Sequence, residues 1–325
     1  MEQLMTGISV IICTFNGRDR IGRTLEHLAV QDLQANQWEL ILVDNLSTDG
    51  TAEFAQEKWQ LLNPGVQLKI LEEHRAGKNN ALELGFSESN FDYLVICDDD
   101  NWLTSNYLSM GLKIMEEHPD YGIVGGRAEA VADTELPDWF YENQYAYACG
   151  SPYNGSMDFT GIGMLWGAGM VIRRNVAQKI MHPKCPTNLS GRKGTELTAG
   201  EDDEKCVRTW LLGYKTFFDY RLLLWHYIPA YRLNVEYMEK LKNGFSDQGA
   251  LIAAYRRTYE FRNHKKLMHE WWYQLPSWLF SKVSGNSTKA RIAQEYLFLA
   301  TGTKFWRTEP MNEVMNFLQF VESDE

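Results

Sequence analysis

The stretch Tyr93-Leu94-Val95-Ile96-Cys97-Asp98-Asp99-Asp100 decides how this chain is read. Five apolar or aromatic residues, bounded by an abrupt change to carboxylates, predict a buried β-strand that ends on a charged loop. Three adjacent carboxylates repel one another, so they are costly unless something cationic meets them. Hard divalent ions such as Mg2+ and Mn2+ take oxygen ligands and bridge one or two carboxylates to substrate phosphates. The competing reading of an isolated acidic triplet is a solvated turn before the next helix.

Working outward toward the N-terminus, Ile8 to Thr14 is a second apolar, β-branched run, ending at Asn16-Gly17. Arg20 to Val30 places Ile21, Leu25 and Leu28 at helical spacing. Glu39 to Val43 reads as a strand, and the Asp44 to Gly50 loop is rich in residues that cap the helix expected from Thr51. Val66 to Leu71 and Asn79 to Ser87 continue the alternation as strand and helix. Such alternation predicts an α/β fold, a mostly parallel sheet flanked by helices, with ligands at the carboxyl ends of the strands.

Beyond Tyr121 the pattern loosens. Gly122 to Gly126 and Gly167 to Ile172 read as strands around a long stretch, Trp139 to Gly163, rich in Tyr, Gly and Asn; its aromatics argue against disorder. Glu201 to Leu212 reads as a helix opening with acids, a pattern the helix macrodipole favours without any function. Lys215 to Asp219 and Leu222 to Trp225 read as two further strands, and from Tyr237 onward most segments read as helix, with breaks at Pro276, Gly285 and Gly302.

The 325 residues, 44% hydrophobic and 23% charged, suffice for a packed core. A formal net charge of −11 argues against nucleic-acid binding, which requires clustered Lys and Arg. Residues 1–230 hold 19 bases and 32 acids, residues 231–307 hold 13 and 6, and the last 18 residues hold 5 acids and no base, so composition changes near residue 230. The five cysteines, odd in number and without a CxxC pair, suggest neither a disulfide framework nor a zinc site. With no apolar leader at Met1 to Gly7 and no membrane-spanning run, the expected location is cytoplasmic.

Several of these stretches resemble one family. Asp98-Asp99-Asp100 looks like the Asp-X-Asp motif of the GT-A-fold glycosyltransferases of family 2. Val10 to Gly17 resembles the family's opening strand and loop, and Leu42 to Thr51 its second strand with the VDDGSTDGT-like loop. Arg75-Ala76-Gly77-Lys78-Asn79-Asn80-Ala81 resembles the basic turn before its third helix, and Gly200-Glu201-Asp202-Asp203 its late Glu-Asp motif. Five features in order over roughly residues 8–230 make a specific signal. The resemblance implies a catalytic domain at 1–230, with a donor half about 1–120 and an acceptor half about 121–230, followed by a mainly helical extension at 231–325.

It also implies a metal-dependent, inverting transfer of a sugar from a nucleotide diphosphate donor, a UDP-sugar above others, to a hydroxyl of a glycan or lipid-linked acceptor in cell-surface polysaccharide synthesis. Asp202 would be the catalytic base. Thr14, Asp44, Arg75, Lys78, Asp98 and Asp99 would bind the donor, with Asp44 reading the nucleotide base. Glu201, Asp203 and Trp166 would bind the acceptor, and Asp100 and His226 would hold Mn2+ or Mg2+. The Gln-x-x-Arg-Trp signature of the processive members is missing, which points to single additions. Asn45 and Asn101 stand where the family often has further aspartates. A sugar nucleotidyltransferase should open with a Gly-rich loop bearing Arg and Lys, and Thr14-Phe15-Asn16-Gly17-Arg18 is not that loop. A non-catalytic glycan-binding or scaffold protein on the same fold is the remaining alternative, against which Asp100 and Asp202 both argue. In the extension, Trp271, Trp272, Tyr273, Trp278, Leu279 and Phe280, with Arg256, Arg257, Lys265 and Lys266 upstream, suggest either a surface resting on an anionic membrane or packing onto the catalytic domain.

Overall fold

The computed structural model describes residues 5–151, 153–189, 200–244, 249–263, 275, 278–279, 281–282, 286–301, 304 and 307–324. The N-terminal alternation forms as expected: β1 (Met5–Thr14), α1 (Arg18–Ala29), β2 (Trp38–Asp44), α2 (Thr51–Leu62), β3 (Leu68–Glu72), α3 (Lys78–Ser87) and β4 (Phe91–Asp98). β2 and β4 pair in parallel on either side of β1, and β3 pairs in parallel with β2. The near-continuous apolar run of β1 fits burial on both faces. Ile8, Val10 and Ile12 pack toward α1 and α2, whereas Ile11 packs with Ile41, Val43 and the α3 residues Ala81, Leu82 and Phe86.

The chain then continues through β5 (Asn101–Leu103), α4 (Tyr107–Glu117), β6 (Tyr121–Val131), α5 (Asp138–Asn143), β7 (Met157–Asp158), β8 (Val171–Arg173), α6 (Arg174–Ile180), α7 (Glu201–Leu211) and β9 (Lys215–Tyr227). Among the described residues the nine strands form one mixed sheet in the order β3-β2-β1-β4-β8-β6-β9-β5, with β7 paired to β9. β8 is antiparallel to both β4 and β6, and so joins the parallel half to the rest.

Three local readings differ from the sequence expectation. The strand expected over Gly167 to Ile172 is confined to Val171–Arg173, because Gly169 takes a left-handed φ of 74° and turns the chain first. The two strands expected between Lys215 and Trp225 are one strand, β9, whose register against β6 shifts between Gly125 and Arg127. β5 and α4 are additional to the elements expected from sequence, although Leu108, Leu112 and Met115 carry the spacing of a helix face and are all buried. The long stretch from Trp139 to Gly163 is ordered by α5, a 3-10 turn at Gln144–Tyr147 and β7.

After residue 230 come a 3-10 turn (Ala230–Arg232), α8 (Val235–Gly244), α9 (Gly249–Asn263), α10 (Ser287–Thr301) and α11 (Glu309–Asp324). Leu251, Ala254 and Tyr255 of α9, Phe298 of α10, and Met311, Val314, Phe317 and Leu318 of α11 share one hydrophobic cluster with Val207 and Trp210 of α7 and with the sheet. The aromatic and basic stretch at Lys265, Lys266, Trp271, Trp272, Tyr273 and Phe280 lies outside the described residues, as do the breaks at Pro276, Gly285 and Gly302. No described helix is long and apolar enough to cross a membrane.

Candidate functional site

A cleft of about 500 Å3 opens at the carboxyl ends of β1 and β4, where the strand order reverses. The parallel register places Thr14 of β1 opposite Asp44 of β2, and Cys13 opposite Asp98 of β4. The cleft is lined by Thr14, Lys78, Asp98, Asp99, Asp100 and His226, and by Trp166, Glu201, Asp202 and Asp203. Ten of the twelve residues expected at the site therefore meet in one cavity. Asp44 and Arg75 do not line it. Asp44 accepts a hydrogen bond from the Ser47 amide at 2.8 Å, closing its own loop. The Arg75 guanidinium, half exposed, donates to Glu73 at 2.8 Å and lies 3.6 Å from Glu83.

Each member of the acidic triplet meets its own cation. Lys78 Nζ lies 2.6 Å from Asp98 Oδ1. Arg20 grips Asp99 with two nitrogens, at 3.0 and 2.9 Å, and Thr14 Oγ1 donates to Asp99 Oδ2 at 2.7 Å. Arg232 donates to Asp100 Oδ2 at 3.0 Å, and His226 Nε2 lies 3.5 Å from Asp100 Oδ1. Paired charges of this kind can remain buried where isolated ones could not. Burial and the neighbouring Asp100 charge push Asp99 up, against the pull of Arg20. Burial lowers Lys78, but Asp98, Asp202 and Glu201 outweigh it and the ammonium is held charged. His226 is likewise lowered by burial yet ends at about 10, because Asp100 and Cys149 favour its protonated form.

His226 reaches this position through pairing that is remote in sequence. β9 sets it opposite Asn101 of β5 and Ala130 of β6, so the imidazole stands beside the triplet. Asp100 and His226 offer one oxygen and one nitrogen to a divalent ion. No group of three or more His, Cys, Asp or Glu residues could hold one among the described residues. That pair still fits Mg2+ or Mn2+ chemically, because such ions keep waters and bind through one or two protein ligands together with substrate phosphates. Binding would have to displace the His226 proton.

On the opposite wall Asp202 stands in the first turn of α7, behind Gly200 with its left-handed φ of 102°. The Gly167 N–H donates to Asp202 Oδ2 at 2.7 Å, and Lys205 Nζ donates to Oδ1 at 3.0 Å. A Cβ at residue 167 would come within 2.4 Å of Oδ1, so the carboxylate fills the space a larger residue would need. Burial pushes Asp202 up, but Lys205, Lys78 and the Gly167 amide together hold it below the usual aspartate range. Its neighbours move the other way. Burial and the Asp202 charge raise Glu201, and burial with the Asp202 and Glu201 charges raises Asp203 to about 6. Of Glu201, Asp202 and Asp203, Asp202 is thus the one best held as a carboxylate. Trp166 precedes Gly167 and faces Tyr145, their rings 6.1 Å apart, at the cleft wall.

The arrangement contains residues that the sequence reading did not single out: Arg20, Arg232, Gly167 and Lys205. Lys205 carried a weak signal, since it lies one helical turn from Asp202. Arg20 and Arg232 carried none, because their partners lie 79 and 132 residues away in the chain.

Known proteins share the family and the fold. Residues 9–181 match the family described as Glycosyl transferase family 2. The probable glycosyltransferase YdaM of Bacillus subtilis is 26% identical over 227 residues, 68% of this chain and 51% of YdaM. The poly(ribitol-phosphate) beta-N-acetylglucosaminyltransferase TarS of Staphylococcus aureus is 25% identical over 114 residues, 35% of this chain and 20% of TarS. The matched regions thus span about half or less of these relatives' lengths. Among solved structures, residues 1–349 of TarS in complex with UDP superpose with a TM-score of 0.53 at 13% identity, covering 98% of this chain and 92% of that one. The mannosyltransferase PcManGT of Pyrobaculum calidifontis, in complex with GDP-Man and Mn2+, also gives 0.53, at 17% identity, covering 97% and 86%. These likenesses show a GT-A glycosyltransferase fold.

Proposed function

The chain belongs to glycosyl transferase family 2, and from the geometry of its cleft we propose that it is an inverting glycosyltransferase acting on a nucleotide diphosphate sugar. One observation carries the reading: Asp202, anchored through both carboxylate oxygens, faces the acidic triplet and Lys78 across a single cavity. In the proposed reaction Asp202 takes the proton of the acceptor hydroxyl while that oxygen attacks the anomeric carbon. The bond from the anomeric carbon to the diphosphate oxygen breaks with its electron pair leaving on the diphosphate. A single in-line displacement inverts the anomeric configuration.

Negative charge grows on the leaving diphosphate, and fixed cations in the cleft stabilise it. Lys78 and Arg232 stand where they can do so, each beside a triplet carboxylate. A divalent ion held by Asp100 and His226 would supply the same stabilisation when bound. Thr14, Asp98 and Asp99 shape the donor side, and Asp44, opposite Thr14 in the register, is assigned to the nucleotide base through the loop it closes. Arg75 is assigned to that side through its backbone, whose carbonyl accepts from Asn45. Glu201, Asp203 and Trp166 form the acceptor side.

The donor is assigned as a UDP-sugar and the acceptor as a hydroxyl of a glycan or lipid-linked glycan in cell-surface polysaccharide synthesis. TarS, observed with UDP and with UDP-GlcNAc, and the putative teichuronic acid glycosyltransferase TuaG of Bacillus subtilis, 31% identical over 113 residues, support that direction. The reading assigns the protein to the cytoplasm with peripheral contact at the inner face of the membrane through residues 231–325, whose described helices also pack onto the catalytic domain. The test is a panel of UDP- and GDP-sugars assayed for nucleotide release and transfer with Mn2+ or Mg2+. Asp202→Asn keeps shape and hydrogen-bonding reach but removes the proton acceptor, so turnover should fall by roughly 10²- to 10⁴-fold with nucleotide affinity nearly unchanged. Proton nuclear magnetic resonance of the product should show the anomeric configuration opposite to the donor's. Retention, or normal turnover in Asp202→Asn, overturns the proposal.

A further inference from the structure

Lys205 occupies an unusual place for a lysine. Its side chain is fully buried, whereas the Asp202 side chain it contacts keeps 26% of its exposure. Its helix neighbours Cys206, Val207 and Trp210 all belong to the hydrophobic core. Among the described residues its ammonium donates to one group, Asp202 Oδ1, at 3.0 Å. We propose that Lys205 is a positioning residue of the transfer reaction, which clamps Asp202 Oδ1 so that the carboxylate stays anionic and aimed at the acceptor hydroxyl. The inference rests on Asp202 being the base.

Stability alone does not account for this lysine. An i,i+3 ion pair on a helix surface contributes little, while burying an ammonium is costly unless its partner offsets the lost hydration. A leucine or methionine here would join the core without that cost. What the charge does change is Asp202. The groups facing that carboxylate are Glu201, Asp203 and Lys205 on α7, Lys78 from α3, and the Gly167 N–H from the loop before β8. Two of these are acids that disfavour the anion. Lys78 is already paired with Asp98 at 2.6 Å, which leaves Lys205 as the cation committed to the base.

The clamp also fixes direction. With one donor on each oxygen, Asp202 cannot rotate without losing both bonds. Each carboxylate oxygen has two lone pairs, so an acceptor hydroxyl can still be received. The consequence is an exchange of basicity for orientation: Asp202 is a weaker base than a free aspartate, but it is ionised and aligned at every working pH.

The experiment combines a titration that needs no substrate with a rate measurement. Protein labelled with 13C at the aspartate carboxyls is titrated as wild type, Lys205→Met, Lys205→Gln and Lys205→Arg, with Asp202→Asn identifying the signal. In the wild type Asp202 should titrate below the ordinary aspartate range. In the Met and Gln variants its midpoint should rise by about one unit or more, and Arg should largely restore it. Nucleotide release from UDP-GlcNAc, UDP-glucose, UDP-galactose and GDP-mannose should show kcat lowered by about 10-fold or more in the Met and Gln variants, with donor KM unchanged and an acid limb moved upward. An unmoved titration in a folded Lys205→Gln protein overturns the proposal, and so does a moved titration with wild-type kcat. Normal turnover in Asp202→Asn would instead overturn the assignment of the base, so the two failures are distinguishable.

Discussion

At the scale of the residue, three consecutive carboxylates would repel one another, and the chain answers each with a separate cation: Lys78, Arg20 and Arg232. The three pairs are not equivalent. Asp99 is tied by Arg20, by Thr14 and, through its backbone carbonyl, by Thr24, so it joins α1 to the triplet loop. Asp100 instead faces both Arg232 and His226, where a divalent ion would find an oxygen and a nitrogen. Asp100→Ala should therefore abolish any strengthening of UDP binding by MnCl2 and leave the buried Arg232 without its carboxylate. Calorimetric titration of UDP with and without MnCl2 measures this directly. An equal effect of Mn2+ in the variant and the wild type would remove Asp100 from the ion's ligands.

At the scale of the element, α7 gathers four acids in its first turn, and their environments give them different work. The macrodipole favours all four. Glu204 turns inward, pairs with Arg208 at 2.7 Å and accepts the amides of Asn188 and Leu189. Asp203 is held at about 6 by burial and by the Asp202 and Glu201 charges, whereas an aspartate in the unfolded chain titrates near about 3.9. The folded protein then binds the proton more tightly than the unfolded chain. This stability is complete below about pH 3.9 and is lost as pH rises through about 6. Asp203→Asn removes the charge that the fold disfavours, so the variant should gain melting temperature over the wild type above about pH 6, with the gain shrinking toward pH 4. Thermal unfolding across that range checks it, and a pH-independent difference would contradict the assigned cause.

At the scale of the whole molecule, the change of composition near residue 230 falls inside a shared core. α9, α10 and α11 bury apolar side chains in the cluster that holds α7, and Arg208 of α7 donates to Tyr255 Oη at 3.1 Å while lying over the Phe317 ring. Arg232, just beyond the change, reaches Asp100. A protein ending at residue 230 should thus expose one face of the core and lose a cation of the site. It should bind a hydrophobic dye and show a broad or absent thermal transition, whereas the full chain unfolds cooperatively. A sharp transition and undiminished UDP binding in the shortened protein would show that the later helices are dispensable.

What the sequence determined by itself is local. Compact apolar runs in Ile8 to Thr14 and Tyr93 to Cys97, periodicity 3.6 in Ile21, Leu25 and Leu28, and loops rich in capping residues specified the alternation of strand and helix, and with it the position of the acids at strand ends. Those signals are carried by neighbouring residues, since a side chain's face depends on the two or four positions beside it. The tertiary structure alone decided which groups meet. The pairing of β9 with β5 sets His226 beside Asp100, and contacts spanning 79 and 132 residues give Asp99 and Asp100 their arginines. Lys205 is one turn from Asp202 in any helix, but only packing against the core makes that contact a buried one. A charge pair's strength depends on the water excluded around it, and that exclusion exists only once the distant parts of the chain have packed together.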